Sequence, residues 1–501
     1  MRSLTVTYPA VTLAALLTFC SSAATASAAE QAILDRLNAL EAKQQQLESA
    51  LAQRDQRIRE LEERLQLDAK VLESTPVAPG QASPGAVQTV EVAVVEEMDL
   101  DPYYGVLQPN GRGFRIADTP NGTLNFGAWT YVRYLNQKGL DRTYTDSFGR
   151  EFDIDRRNDV QLNKVNLTFS GWVYDPDFRY VLYTWTSNTS QGESAQVVVA
   201  GNLRYRINKA LDLGFGIDAL PGTRTTSGTF PYWNRVDSRT MADQYFTPSY
   251  TSGVWASGML TDDLRYKFMV GNNLSQLGVN AARLDGELGT FSGRLEWMPT
   301  TGEFGLGRGY GDFEMHREVA TSFGLSATYS DEDRQSQPGT EDINNSQIRL
   351  SDGTLLFSQD AFDTDGDVLS AHYQMVSADA GMKYEGFSLL GEYYWRWVND
   401  FNVQGDVPVD NLFDHGFQVQ SGYMIVPKTW QVYGAASKIF GEFGNPWDLA
   451  LGANWFPTHK RLLRVNGELL YMKDSAIGYS SIPYQVGGDG LVFMSNLEMK
   501  F

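Results

Sequence analysis

Cysteine is nearly absent. Cys20 is the only one in 501 residues, so no disulfide can form within the chain and stability must have another source. Cys20 follows an apolar stretch, as a lipid-modified cysteine would, but Phe19 directly before it is too bulky for the small residue such a site needs. Long apolar runs are missing too: past the N-terminal segment none approaches the roughly 20 residues that a membrane helix requires. A closed barrel is then the one way this chain could cross a bilayer. Basic charge is scarce, with 41 Lys and Arg against 61 Asp and Glu and a net charge of -20, which argues against a nucleic-acid partner.

Catalytic signatures are equally thin. The four histidines, His316, His372, His415 and His459, are scattered over different strands or turns, with no G-x-S-x-G or H-E-x-x-H beside them. The acidic DTDGD at Asp363 to Asp367 has alternate carboxylates but lacks the Gly and Glu that a calcium loop places at its sixth and twelfth positions. The chain is therefore read as no enzyme, with no cofactor and no metal.

What the sequence does contain falls into four regions. Residues 1–29 carry Arg2, an apolar stretch around Ala10 to Phe19 and the small residues Ala26-Ser27-Ala28, the pattern of a secretory signal peptide. Over 30–73, Ile33, Leu37, Leu40, Leu47, Leu51, Ile58, Leu61, Leu65 and Leu72 recur at spacings that fill most a and d positions of a heptad. Gln44, Arg54 and Asp68 break that seam, and the stripe predicts a self-associating α-helical coiled coil. Residues 74–110 turn to Pro, Gly, Ala and Val and read as a linker. From 111 to 501 the period becomes two, in segments of about ten residues.

Sixteen candidate strands begin near Thr123, Asn158, Asp177, Ala195, Leu211, Tyr250, Leu264, Leu288, Val319, Leu369, Phe387, His415, Trp430, Pro446, Arg461 and Gly490. Their connections alternate between tight turns, such as Asn208-Lys209-Ala210 and Glu385-Gly386, and long polar excursions such as 136–157, 220–249 and 330–368. Short turns at one end and long loops at the other predict an all-β, 16-stranded antiparallel transmembrane barrel of the outer-membrane type. The connection 299–318 breaks that rule, being long where a short turn is due.

Phase points the same way. In FSLLGEYYWRW the residues Phe387, Leu389, Tyr393, Trp395 and Trp397 oppose Glu392 and Arg396. In the last strand Leu491, Phe493, Leu497, Met499 and Phe501 oppose Asn496, Glu498 and Lys500. The face opposite the apolar set carries Arg133, Lys164, Arg204, Arg206, Arg265, Lys267, Arg294, Lys383, Arg396, Arg464 and Lys500, against Glu296, Asp379, Glu392, Glu468 and Glu498. Fixed guanidinium and ammonium groups around a narrow aqueous path favour anions over cations.

A coiled-coil head, a sixteen-strand pattern and a terminal Phe together resemble the trimeric outer-membrane porins. The stretches DVQLNKVNLTFSGWVYDPDFRYVLYTW and NLRYRINKALDLGFGIDALPGTR are most similar to the phosphate-selective porin family. The head is also similar to that of other anion-taking porins with a periplasmic coiled coil. The resemblance covers most of 111–501 and implies a homotrimer in outer-membrane lipid, with the coiled coil in the periplasm. It implies that Leu497, Met499 and Phe501 form the signal read by the barrel assembly machinery. It also implies that the third external loop bends inward, with Arg224, Arg235, Arg239, Asp237 and Asp243 at a pore constriction. The expected function is passive diffusion of small anions, phosphate-like or carboxylate-bearing. A rival is an anchor tied to the cell wall through the coiled coil.

Overall fold

The computed structural model describes residues 113–187, 196–248, 250–274, 288–333, 348–359, 361–478 and 482–501. The signal peptide expected over 1–29, the coiled coil over 30–73 and the linker over 74–110 lie outside the described residues.

The chain opens with β1 (Phe114–Thr119) and β2 (Gly122–Leu140), then a small hairpin of β3 (Thr143–Thr145) and β4 (Glu151–Asp153). There follow β5 (Asn158–Val173), β6 (Asp175–Ser187), β7 (Gln196–Asn208), β8 (Leu211–Ala219), α1 (Met241–Phe246), β9 (Tyr250–Met259) and β10 (Leu264–Gly271). The remainder is β11 (Thr290–Trp297), β12 (Ala320–Asp333), β13 (Asp367–Tyr384), β14 (Phe387–Gln404), β15 (Leu412–Val426), β16 (Trp430–Phe440), β17 (Trp447–Trp455), β18 (Leu463–Lys473) and β19 (Gly490–Lys500).

From β2 through β5 to β19 every strand pairs antiparallel with the next, and β19 returns to β2 in the register Glu498↔Tyr131 and Lys500↔Trp129. The result is a closed barrel of sixteen strands with no free edge. Each strand expected from alternation has a counterpart that starts within three residues of the expected place. Alternation did not reveal β1, which pairs with the first residues of β2 beyond the end of β19. Phe501 there exchanges backbone hydrogen bonds with Ala128 at 2.8 and 2.9 Å, and its ring lies 5.5 Å from Phe114 and 6.3 Å from Phe126.

The two faces of this sheet invert the pattern of a soluble core. Leu162, Phe268, Leu295, Phe323, Leu325, Leu389, Leu451 and Leu469 are exposed outside, whereas Arg133, Arg294, Glu392, Arg396, Gln418 and Glu468 are buried inside. An outer surface this apolar is costly to leave in water. Trp297, Trp430 and Trp455 stand at strand ends on the same outer face, the last two stacked at 5.7 Å.

Tight turns join β5 to β6, β7 to β8, β13 to β14 and β15 to β16 at one end. In the turn after β13, Glu385 and Gly386 have φ of 45° and 85°; two successive left-handed residues match the right-handed twist of a hairpin.

Two segments fill the interior from opposite ends. The third long loop, 220–249, carries α1 and packs Leu220, Met241, Ala242, Tyr245 and Phe246 into the main cluster with Tyr394, Ile439, Ala450 and Leu470 of the wall. From the tight-turn end comes the long connection 298–319, whose length now has a cause: it folds up inside the barrel to meet that loop. Tyr310 packs with Trp233 and Leu390 in one buried cluster, and its amide donates to the Tyr232 carbonyl at 3.0 Å. Gly307 and Gly309 lie so close to Tyr232 that a Cβ at either would fall 2.1 to 2.2 Å from it.

An Asp312–His316 hydrogen bond pins the connection, with the His316 Nε2 at 2.9 Å from Glu303 and the Gly386 amide donating to Asp312 at 2.8 Å. The bond to Asp312, helped by the charges of Asp312 and Glu303, raises the His316 pKa above its usual range. A raised histidine contributes stability that is complete below its unfolded value of about 6.5 and is lost as pH rises through the folded value. Hydrogen exchange across 298–319 is therefore expected to lose protection as pH rises above about 6.5. His316→Gln should flatten that dependence, and an equally steep dependence in the variant would exclude this pair.

Candidate functional site

The interior basic residues divide into two groups by what faces them. Those on β13–β18 and β2 are covered by the inward segments and are paired. Arg133 donates to Asn496 at 2.8 Å and to the Val236 carbonyl at 2.7 Å. Arg396 meets Asp414 at 2.6 Å and lies 4.1 Å from the Tyr245 ring; Arg464 meets Glu498 at 2.5 Å and donates to the Trp233 carbonyl at 2.8 Å. Lys383 donates to the Phe304 carbonyl at 2.8 Å. Each of the four has one contact that ties the wall to an inward segment: Val236, Tyr245, Trp233 and Phe304 respectively.

The third-loop residues singled out in the sequence are drawn into the same packing. Arg224, fully buried, meets Asp379 at 3.0 Å and donates to the Arg308 carbonyl at 3.1 Å, while its own amide donates to Glu392 at 2.9 Å. Arg235, also buried, forks onto Glu468 and donates to Tyr484 at 2.9 Å. Asp237 accepts from Tyr131 at 2.7 Å and meets Lys164 at 2.6 Å. Arg239 donates to Gln244 at 3.2 Å and stands 3.9 Å from Asp243, which accepts from Thr225 and Thr247 at 2.8 and 2.9 Å. Burial outweighs those contacts and pushes the Asp243 carboxyl above the usual carboxylate range. Leu497 and Met499 are exposed on the outer face, in line with Phe501.

The second group borders open space. Between the third loop and the wall β5–β11 lies a cavity of about 810 Å³ lined by Arg204, Arg206, Lys209, Arg265, Lys267, Arg294 and Arg308 against Asp177, Asp212, Asp218 and Glu296. The loop faces it with Thr225, Thr226, Ser227 and Gly228, a strip that is polar but uncharged. Asp218 is held by Lys267 at 3.0 Å and Arg204 at 3.3 Å, and Glu296 by Arg308 at 2.9 Å. Arg206 stands 3.8 Å from Asp212, and Arg265 closes no ion pair among the described residues. Seven cations and four acids line the cavity; Arg294 and Lys209 are held by Asp379 at 2.6 Å and Asp262 at 2.5 Å outside it, which leaves Arg206 and Arg265 as its loosely held and unpaired charges. Trp255 lies 5.3 and 5.6 Å from Lys267 and Arg204, so part of the track is aromatic.

Arg308 was missed in the sequence. Its signal was the excess length of 299–318, because a segment that a short turn could replace must be placed somewhere. Arg308 also donates to the Ser227 carbonyl, so the inner connection closes the edge of this cavity against the third loop.

No family model and no curated protein matches this chain. Among solved structures it is similar to an anion-selective porin from Comamonas acidovorans at 9% identity, over 76% of this chain and 100% of that one, with a TM-score of 0.47. It is similar to OmpT of Vibrio cholerae, an outer membrane protein in trimer form, at 11% identity over 76% and 100% with a TM-score of 0.47. The outer membrane channel DcaP of Acinetobacter baumannii gives 11% identity over 78% and 99% with a TM-score of 0.46. The functional reading rests on the geometry of this barrel.

Proposed function

We propose that the protein is a passive outer-membrane channel for small anions, working as a homotrimer whose coiled-coil head stands in the periplasm. One observation carries the reading: a barrel with an apolar exterior encloses a cavity whose wall is mainly cationic and whose opposite side is an uncharged hydroxyl strip. An anion entering gains from Arg265, Arg206 and Lys267 on one side, meets no acidic side chain on the strip of the loop that lines the cavity, and exchanges part of its hydration for Thr and Ser hydroxyls. A cation meets the same field with opposite sign. Small carboxylates and phosphate-like anions suit guanidinium and ammonium groups.

In a planar bilayer under a salt gradient, the full-length protein is expected to conduct, with a reversal potential on the anion side and closures in groups of three. An anchor tied to the cell wall through the coiled coil needs no pore, and absence of current in assembled protein would favour it. A cation-side potential would overturn the anion preference while leaving the channel.

A further inference from the structure

A second cavity, of about 310 Å³, opens at the tight-turn end and shares no lining residue with the first. Its cations come from three separate places in the chain: Lys428 from the turn after β15, Lys460 and Arg461 from the turn after β17, and Lys500 from the end of β19. Glu314 is its single acid. In a chain of net charge -20, such a concentration has to be explained by what it faces.

The cations rest on aromatic rings. Lys500 donates to the Tyr232 hydroxyl at 2.7 Å and lies 4.3 Å from the centre of that ring. The Arg461 guanidinium is 5.0 Å from the Phe313 ring and 5.5 Å from Tyr232. Its Nη2 donates to the Gly311 carbonyl at 3.3 Å and stands 3.8 Å from Glu314, beyond hydrogen-bond reach. The Arg461 Nε is buried with no hydrogen-bond partner among the described residues. A buried donor left unpaired is costly, and a ligand that accepts from it recovers that cost. Lys428 and Lys460 are exposed and close no ion pair among the described residues.

We infer that this cavity binds an organic anion with a compact apolar or aromatic body, its carboxylate on Arg461 and Lys500 and its body against Phe313 and Leu462. The chemistry follows from the lining. A guanidinium and an ammonium call for a carboxylate, and the apolar floor beside them rewards a ligand that is more than its charge. Lys428 and Lys460, at the rim, raise the local anion concentration. The site does not depend on conduction: a barrel that carried no current would still bind.

Equilibrium binding of benzoate to the full, detergent-solubilised protein tests this, beside acetate, inorganic phosphate and benzyl alcohol. Benzoate is expected to bind saturably and tighter than each of the others, since each lacks one of its two features. Arg461→Gln should weaken benzoate by roughly tenfold or more. Lys428→Gln with Lys460→Gln, both exposed in turns, should weaken it severalfold and reduce its salt dependence. Arg265→Gln, in the other cavity, should leave it unchanged. Benzoate no tighter than acetate would overturn the inference, as would equal binding by both turn-end variants. A loss on Arg265→Gln alone would move the ligand to the first cavity and overturn it too.

Discussion

Arg206→Glu with Arg265→Glu is expected to carry the reversal potential from the anion side to the cation side. The two changes convert seven cations and four acids around the large cavity into five and six, so the surplus changes sign. Both residues lie on the wall facing open space, Arg265 unpaired among the described residues and Arg206 only loosely paired, at 3.8 Å from a partly buried Asp212. A unit charge about 4 Å from a passing ion contributes about 1 kcal/mol in bulk water and about 4 kcal/mol at an effective dielectric of 20. About 1.4 kcal/mol is a factor of ten in an equilibrium ratio, so two reversals are ample. The glutamine pair should fall between wild type and the glutamate pair. The shift should be largest in dilute salt, because the screening length shrinks from about 10 Å at 0.1 M to about 3 Å at 1 M. An unchanged potential would remove this wall from the selectivity mechanism.

Arg235→Met should behave quite differently. Arg235 and Glu468 are both fully buried, and removing the guanidinium leaves the carboxylate with the Tyr433 hydroxyl at 2.6 Å as its remaining partner. Breaking a buried pair from one side costs about 3–5 kcal/mol, whereas replacing both members by apolar groups is often neutral. The single variant is therefore expected to unfold at markedly lower denaturant and to show larger, noisier conductance as the third loop loses its hold on β18. Adding Glu468→Met should restore part of the stability, the rest being lost at Asp448, buried 3.8 Å from Arg235, and the cycle should still be non-additive. Additive losses would mean that the pair does not fasten the loop. A clean change of selectivity with stability intact would return Arg235 to the path of the ions.

These outcomes separate residues that looked alike in the sequence. Arg133 and Arg265 are both basic, both opposite an apolar set, and both on strands of the expected phase. One is buried against Asn496 and the third loop, and the other borders the cavity. Nothing local distinguishes them, because the difference is made by a loop about a hundred residues away in the chain from one of them. The same holds for Arg235, which alternation and turn chemistry could place only in a loop.

The sequence by itself determined the sixteen barrel strands, their order and their alternation of apolar and polar faces. Those properties are local: side chains alternate across an extended backbone every two residues, turn residues mark the ends, and antiparallel neighbours joined by short turns have little choice of partner. Only the tertiary structure decided that β1 lies beyond β19 on β2, that 298–319 folds inward to meet the third loop, and which interior charges keep access to open space. Those depend on contacts between segments far apart in the chain, where one buried carboxylate such as Glu468 or Asp379 selects one arginine among many. A pattern of period two records which way a side chain points and is silent about what it meets there.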